Sequence, residues 1–403
     1  MTPLRDWTHL FLVFLCVLGA PSSPNLNDAA PSMAPGTLVE RQAGSAYKLQ
    51  IEYSGKTFFD GWDFFDEPDP SNGLVNYVSS STAFARGLAF WTADGTPGIQ
   101  ADHWTTLPIG TTRDSIRLTT RQLFSGGVFM IDVRLMPWGC GVWPAFWTLG
   151  YHGTWPLAGE IDIIEGIQAM NRNQMTIHTK PGCVVDQTPG RFSGQLLNPI
   201  CDRASGGTGC SIVSTSPISF GEQFNAQGGG VFAMQWDGDG IKMWNWIRKD
   251  IPADVTRGAP VPAGWGQPVA AWGAATCNPF EYFKPQTLIL NLNLCGDWAG
   301  GLYNQFPYCP GTCAEHIANP ENLKNAIWLV NSIRVYQPQG QPPIPEQAPT
   351  NANLTGSPGP VNIVRPVADN SGAMNRVTTL ASWVPAQVIL GLSGLSVIGL
   401  AIV

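Results

Sequence analysis

Charge is scarce in this chain. Only 13% of its 403 residues are Asp, Glu, Lys or Arg, about half the usual share. No long basic run appears and the net charge is −7, so a nucleic-acid partner is not expected. Amphipathic helices are nearly absent as well: "AEHIANPENLKNA" offers one or two short turns at most. There is no internal repeat and no paired C-x-x-C of the kind that holds zinc. "GGG" at 228–230 lacks the following helix and the Lys of a phosphate cradle, and reads as a loop.

What the chain has in quantity is Gly (45), Pro (34) and Trp (16). That profile suits a turn-rich all-β protein with aromatic surfaces and a neutral, flat ligand. From about Tyr47 to Tyr336, short strand-like runs alternate with Gly, Pro, Asn and Ser breaks. "SIRLTTRQLF", "GGVFMIDVRLM", "GEIDIIEG", "QMTIHTK", "GVFAMQWDGDGIKMWNWI", "QTLILNLNL" and "AIWLVNSIRVYQ" are the clearest. "WDGDG" between two apolar runs signals a hairpin. About 290 residues of strands suggest one large β-sandwich.

Both ends read as processing signals. Residues 1–20 carry Arg5, an apolar run from Leu10 to Leu18, then Gly19 and Ala20; the run is too short for a membrane span and matches a secretory signal peptide. Residues 338–370 are Pro-rich and polar, an extended stalk. Asn353 lies in it, in the sequon "NLT". Residues 371–403 end in the apolar run "VPAQVILGLSGLSVIGLAIV", preceded by "NSGA" at 370–373 and the polar spacer "MNRVTTLAS". That order matches a GPI-anchor signal, with Asn370 and Ser371 as attachment candidates. A C-terminal transmembrane anchor is the alternative, and the lack of basic residues after the run favours GPI. The expected location is the cell surface, anchored to the plasma membrane with transfer to a wall left open. Apart from Cys16, the eight cysteines 140, 183, 201, 210, 277, 295, 309 and 313 suffice for four disulfides in an oxidising compartment.

The stretch "GEIDIIEGIQ" (159–168) places Glu160, Asp162 and Glu165 among isoleucines. Unpaired buried charge is costly, and strict alternation would put Glu165 on the face opposite Glu160 and Asp162. A β-bulge between Asp162 and Glu165 returns all three to one face. Glu160 and Glu165 are then roughly 13 Å apart along the backbone. Leaning side chains could close that to about 5–6 Å, the spacing of a retaining glycosidase. An exposed acidic strand is the plainer reading; the Trp-rich flanks and the order Glu-Asp-Glu count against it.

The segment resembles the E-x-D-x-x-E signature of glycoside hydrolase family 16, in its bulged, laminarinase-like branch. "GCGVWPAFWTLG", "NQMTIHTK", "FNAQGGGVFAMQW", "NLNLCGDWAG" and "SIRVYQ" resemble fungal secreted β-1,3(4)-glucanases in the same order. The resemblance covers about residues 46–337. It implies a catalytic domain over 46–337, folded as a jelly-roll sandwich of two antiparallel sheets with a cleft on the concave face. It implies Glu160 as nucleophile, Asp162 as assisting residue and Glu165 as acid/base, with charge on Glu160 raising the pKa of Glu165. Trp147 and Trp298 are implied as cleft residues that bind the apolar faces of sugar rings. His178 is implied near the acid/base. Trp143, Trp155, Arg117 and Asn76 complete the candidate substrate-binding set.

The implied partner is β-glucan, cut at internal β-1,3 or β-1,4 links by a monomer. A wall transglycosylase is the second reading, and a non-catalytic glucan-binding protein the third. No organic cofactor is implied. This fold leaves room for a structural calcium ion, for which no ligand set is legible.

Overall fold

The alternation in "QTLILNLNL" organises the sandwich. In the strand Gln286–Leu294, Leu288, Leu290, Leu292 and Leu294 point into the core, so Ile289, Asn291 and Asn293 emerge on the opposite face. The computed structural model describes residues 46–340, except 152 and 206–207, together with the strands Val364–Ala368 and Met374–Thr379.

Two eight-stranded sheets face each other. The first runs Gln195–Asn198, Cys210–Val213, Gln174–His178, Glu160–Glu165, Val142–Gly150, Gln286–Leu294, Arg117–Thr120, Trp62–Phe64. The second runs Ala270–Gly273, Gly240–Ile247, Gly230–Asp237, Gly127–Leu135, Ile327–Pro338, Pro97–Gln100, Ala89–Trp91, with Tyr47–Ser54 also paired to Ile327–Pro338. Every ladder in both is antiparallel. This is the large β-sandwich that the strand-rich, helix-poor sequence predicts, in the jelly-roll form that the family resemblance implies. "WDGDG" turns between the second sheet's Gly230–Asp237 and Gly240–Ile247, with Asp237 paired to Gly240.

Phe146, Ile161, Ile164 and Ile177 of the first sheet join Phe129, Ile131, Phe232 and Met234 of the second in one core. Burial of this kind contributes about 1.5–3 kcal/mol per large side chain. The far face of the second sheet is covered by the segment carrying Val255 and Trp265, against Trp244 and Trp246. The far face of the first sheet is left for the site.

All eight cysteines pair, as Cys140–Cys309, Cys183–Cys277, Cys201–Cys210 and Cys295–Cys313. The "AEHIANPENLKNA" turns are the short helix Cys313–Ala318 and the single turn Pro320–Leu323. No helix among the described residues is long and apolar enough to cross a membrane.

The strand Ile327–Pro338 ends on Pro338, partner of Tyr47, one residue beyond the expected domain end. Val364–Ala368 and Met374–Thr379 pair with each other inside the stretches read as stalk and anchor signal, where no strand was expected. Their valines and threonines supply the β-propensity. Residues 1–20, the sequon at Asn353, the attachment candidates Asn370 and Ser371, and the apolar tail lie outside the described residues.

Candidate active site

The strand Glu160–Glu165 carries the expected bulge. Toward Gln174–His178 the register runs Glu160 to His178, Ile161 to Ile177 and Asp162 to Thr176, then jumps to Glu165 opposite Gln174. Toward Val142–Gly150 it steps from Asp162 opposite Trp147 to Ile164 opposite Phe146. Ile163 is therefore the extra residue. Ile163 and Ile164 both enter the core, and Glu160, Asp162 and Glu165 share the outer face, where they line a cleft with Trp143, Trp147 and Arg117. Exposure of the three is 2%, 3% and 5%.

Each glutamate is held by an indole. Trp155 Nε1 donates to Glu160 Oε2 at 2.9 Å and Trp143 Nε1 donates to Glu165 Oε1 at 2.9 Å. Trp147 Nε1 donates to Asn291 Oδ1 at 2.8 Å, and Asn291 Nδ2 donates to the Tyr77 hydroxyl at 3.2 Å. Arg117 pairs across the ladder with Asn291. Its guanidinium lies 4.4 Å from the Phe65 ring centre and 5.1 Å from that of Trp147. Arg117 Nε and Nη2 are buried without a hydrogen-bond partner, as donors awaiting a ligand would be. Ala145, opposite both Glu165 and Asn291, keeps the floor low between them.

His178, expected near Glu165, sits instead beside Glu160, its cross-strand partner: Nε2 lies 3.7 Å from Glu160 Oε1 and 3.6 Å from Asp162 Oδ2. One donor atom from each of the three falls within 4.8 Å of the others, so this is the donor set that could hold a small divalent cation. A second grouping, Cys183, Cys201 and Cys210, is committed to disulfides.

Burial lifts the Glu160 carboxyl to about 8; charge on Glu165 adds to the rise, while the Trp155 hydrogen bond and Arg117 oppose it. Glu165 is pushed up to about 7 by burial, against the Trp143 hydrogen bond. Asp162 is raised by burial first and then by both glutamates. The three titrate as a set, in which charge on one carboxyl favours a proton on its neighbours. Burial outweighs the neighbouring charge that sequence reasoning put first. His178 is pushed down to about 3 by burial and by the charge of Arg203, which keeps the ring neutral.

Two expected binding residues sit elsewhere. Trp298 is 2% exposed and packs edge-on against Trp143, ring centres 5.8 Å apart, so it buttresses a cleft residue and offers no face of its own. Asn76 is exposed and donates to Asp114 Oδ1 at 2.6 Å; strand alternation sends its neighbour Tyr77 inward instead.

Sequence reasoning also missed the wall built by the loop around Asp69. Asp69 Oδ2 accepts from Ser71 Oγ, Gly73 N and Asn293 Nδ2 at 2.7, 2.8 and 3.1 Å. A Cβ on Gly73 would fall 2.0 Å from Asn293 Oδ1, so only glycine fits this close approach. The alternation of "NLNL" was the one signal that pointed to Asn291 and Asn293.

Buried carboxyls on the floor of a groove walled by indoles define the domain as carbohydrate-cleaving, a glycoside hydrolase. Residues 62–336 match the family described as "XgeA-like, catalytic GH16 domain". The chain belongs to glycoside hydrolase family 16. It is similar to "Probable glycosidase C21B10.07" of Schizosaccharomyces pombe, 40% identical over 72% of this chain and 69% of that protein. It is also similar to endo-1,3(4)-beta-glucanase xgeA of Emericella nidulans, 38% identical over 73% of this chain and 48% of that one. The chain thus spans about half the length of the latter and of similar Aspergillus proteins. Among solved structures, an elongating GH family 16 beta-1,3-glucosyltransferase is 38% identical over 72% of this chain and 100% of its own, with a TM-score of 0.69. Laminarinase 16A from Phanerochaete chrysosporium, with two beta-glucans in donor and acceptor sites, is 37% identical over 72% and 99%, also at 0.69. The described domain is a catalytic domain of the type these endo-1,3(4)-beta-glucanase relatives carry.

Proposed function

We propose that this protein cuts internal β-1,3 links of β-glucan, and β-1,4 links where they are mixed in, by double displacement. The observation that carries the reading is the bulge at Ile163, which gathers Glu160, Asp162 and Glu165 on one buried face of the cleft. Glu160 attacks the anomeric carbon while Glu165 passes its proton to the departing glucosyl oxygen, breaking the glycosidic bond. The covalent glycosyl-Glu160 ester carries no charge, so Glu165 is then free to accept a proton from water. That water attacks the same carbon and releases Glu160.

Charge on Glu160 is supported by the Trp155 N–H and by Arg117. A proton kept on Asp162 spares the site a second adjacent charge. Trp143, Trp147, Arg117 and Asn291 line the space a glucan would occupy, and Trp155 holds Glu160 beside it.

A second reading, transfer of the glycosyl group to another glucan, draws support from the similar glucosyltransferase structure. The chemistry differs only in what attacks the ester. We further propose the cell surface as the place of action, with the chain secreted by residues 1–20, held as a monomer by a GPI anchor, and its domain standing on the stalk. The sequence patterns at both ends support this.

The test is incubation of the purified protein with laminarin and with mixed-linkage glucan, beside Glu160→Gln, followed by sizing of the products. Shorter reducing fragments, absent with the variant, are expected. Products longer than the donor would establish the transferase instead. No change on either glucan would overturn both.

A further inference from the structure

The bulge that makes the site leaves two backbone groups without ladder partners, and one side chain takes both. Asn173 Nδ2 donates to the Ile163 carbonyl at 2.8 Å, and Asn173 Oδ1 accepts from the Glu165 N–H at 3.1 Å. The side-chain amide thus stands in for a peptide unit where the extra residue interrupts pairing. Asn173 is fully buried. Its own backbone is fixed on both sides: its N–H donates to Ser219 Oγ at 3.0 Å and its carbonyl accepts from Ser214 N at 2.9 Å. Ser219 Oγ in turn donates to the Ser216 carbonyl at 2.8 Å. The clamp is therefore anchored to a segment outside the catalytic strand.

Remove that amide and two buried backbone groups are orphaned, at about 1–3 kcal/mol each. Regular pairing would satisfy them again, but erasing the bulge reverses alternation beyond Asp162 and turns Glu165 toward the core. Asn173 thus acts on where the acid/base stands, while Trp143 fixes its carboxylate tip. From this we propose that Asn173 is a positioning residue for proton transfer by Glu165. The inference rests on the acid/base role given to Glu165 above.

Two β-glucan oligosaccharide substrates separate this role from plain stability. One has a natural sugar leaving group, which needs a proton; the other has a dinitrophenyl leaving group, which departs without one. Asn173→Ala should lose about a hundredfold in kcat on the first with KM little changed. Bond cleavage of the aryl substrate, read as the burst of dinitrophenolate, should be nearly intact. Asn173→Asp supplies an internal rescue. Its protonated carboxyl has the donor and acceptor of the amide, so its activity relative to wild type should recover as pH falls, while Asn173→Ala shows no such recovery.

Glu165→Ala is measured alongside. If it spares the aryl burst and Asn173→Ala does not, the positioning role is overturned and the acid/base assignment stands. Should Glu165→Ala itself fail to spare the burst, the acid/base assignment falls and the inference with it. Equal losses on both substrates, or failure of both Asn173 variants to fold, would assign Asn173 to stability alone and overturn the proposal.

Discussion

His178 stands directly across the ladder from Glu160, and Gly209 backs its ring so closely that a Cβ there would lie 2.4 Å from Cε1. The imidazole is wedged between the carboxyls and a strand-end glycine, with no room to retreat. Gly209 also has a φ of +95°, which disfavours any side chain. Gly209→Ala should therefore push the ring toward Glu160 and Asp162. The expected loss in kcat is about tenfold to a hundredfold, with about 1–3 kcal/mol of stability. Steady-state kinetics and thermal melting check both; an unchanged kcat would show that the ring's position does not matter to the chemistry.

Glu160→Gln should abolish turnover, by a factor on the order of 10⁴ or more, and also stabilise the fold in a pH-dependent way. Burial raises the Glu160 carboxyl to about 8 in the folded protein, from about 4.5 for an exposed glutamate. Below pH 4.5 it is protonated whether folded or not, and costs nothing. As pH rises from 4.5 toward 8, ionisation favours the unfolded chain, and stability is lost. Glutamine escapes that loss. The stability of the variant should match wild type near pH 4 and exceed it increasingly toward pH 8, read as a growing gap in melting temperature. A difference that stays flat with pH would contradict the burial-raised ionisation of this residue.

Trp143→Phe removes the hydrogen bond that pulls Glu165 down from its burial-raised pKa. The proton on the acid should then survive to higher pH. The alkaline limb of the kcat/KM profile is expected to move upward, with up to about tenfold loss at the optimum. Movement of that limb downward would mean that a different group sets it.

Cys295 and Cys313 join the end of the strand Gln286–Leu294 to the start of the helix Cys313–Ala318. Replacing both with Ser frees an 18-residue span. The expected cost is about 3 kcal/mol of stability. Because the freed stretch includes Trp298, which buttresses Trp143, kcat should fall as well. Calorimetry and laminarin kinetics on one preparation measure the two together. Retained kcat alongside the lost stability would show that the Trp298 support is not needed.

Strands and the bulge were legible because their signals are local: alternation in "NLNL", and a three-residue step between Asp162 and Glu165 where two would keep the face. The number of disulfides followed from a count. The identity of the cleft tryptophans did not, because indole serves equally as core and as platform. Trp236, Trp272, Trp298 and Trp328 are all core, and only the packed sheets tell them from Trp147. Asn173 was illegible for another reason. Beside a strand it reads as a turn residue, and nothing nearby says that its amide reaches back ten residues to Ile163. Asp69 and Asn293 meet across 224 residues, beyond any local pattern.

That last separation bears on how the protein is made. The cleft takes Asp69 from near the start of the domain, the carboxyls from its middle, and Asn291 and Asn293 from near its end. A chain emerging from synthesis has its acidic strand long before it has the strand that floors the groove beside it. On the proposed mechanism, hydrolytic competence is expected only when the domain is nearly complete, and a truncated product ending before Gln286 is expected to lack a working site.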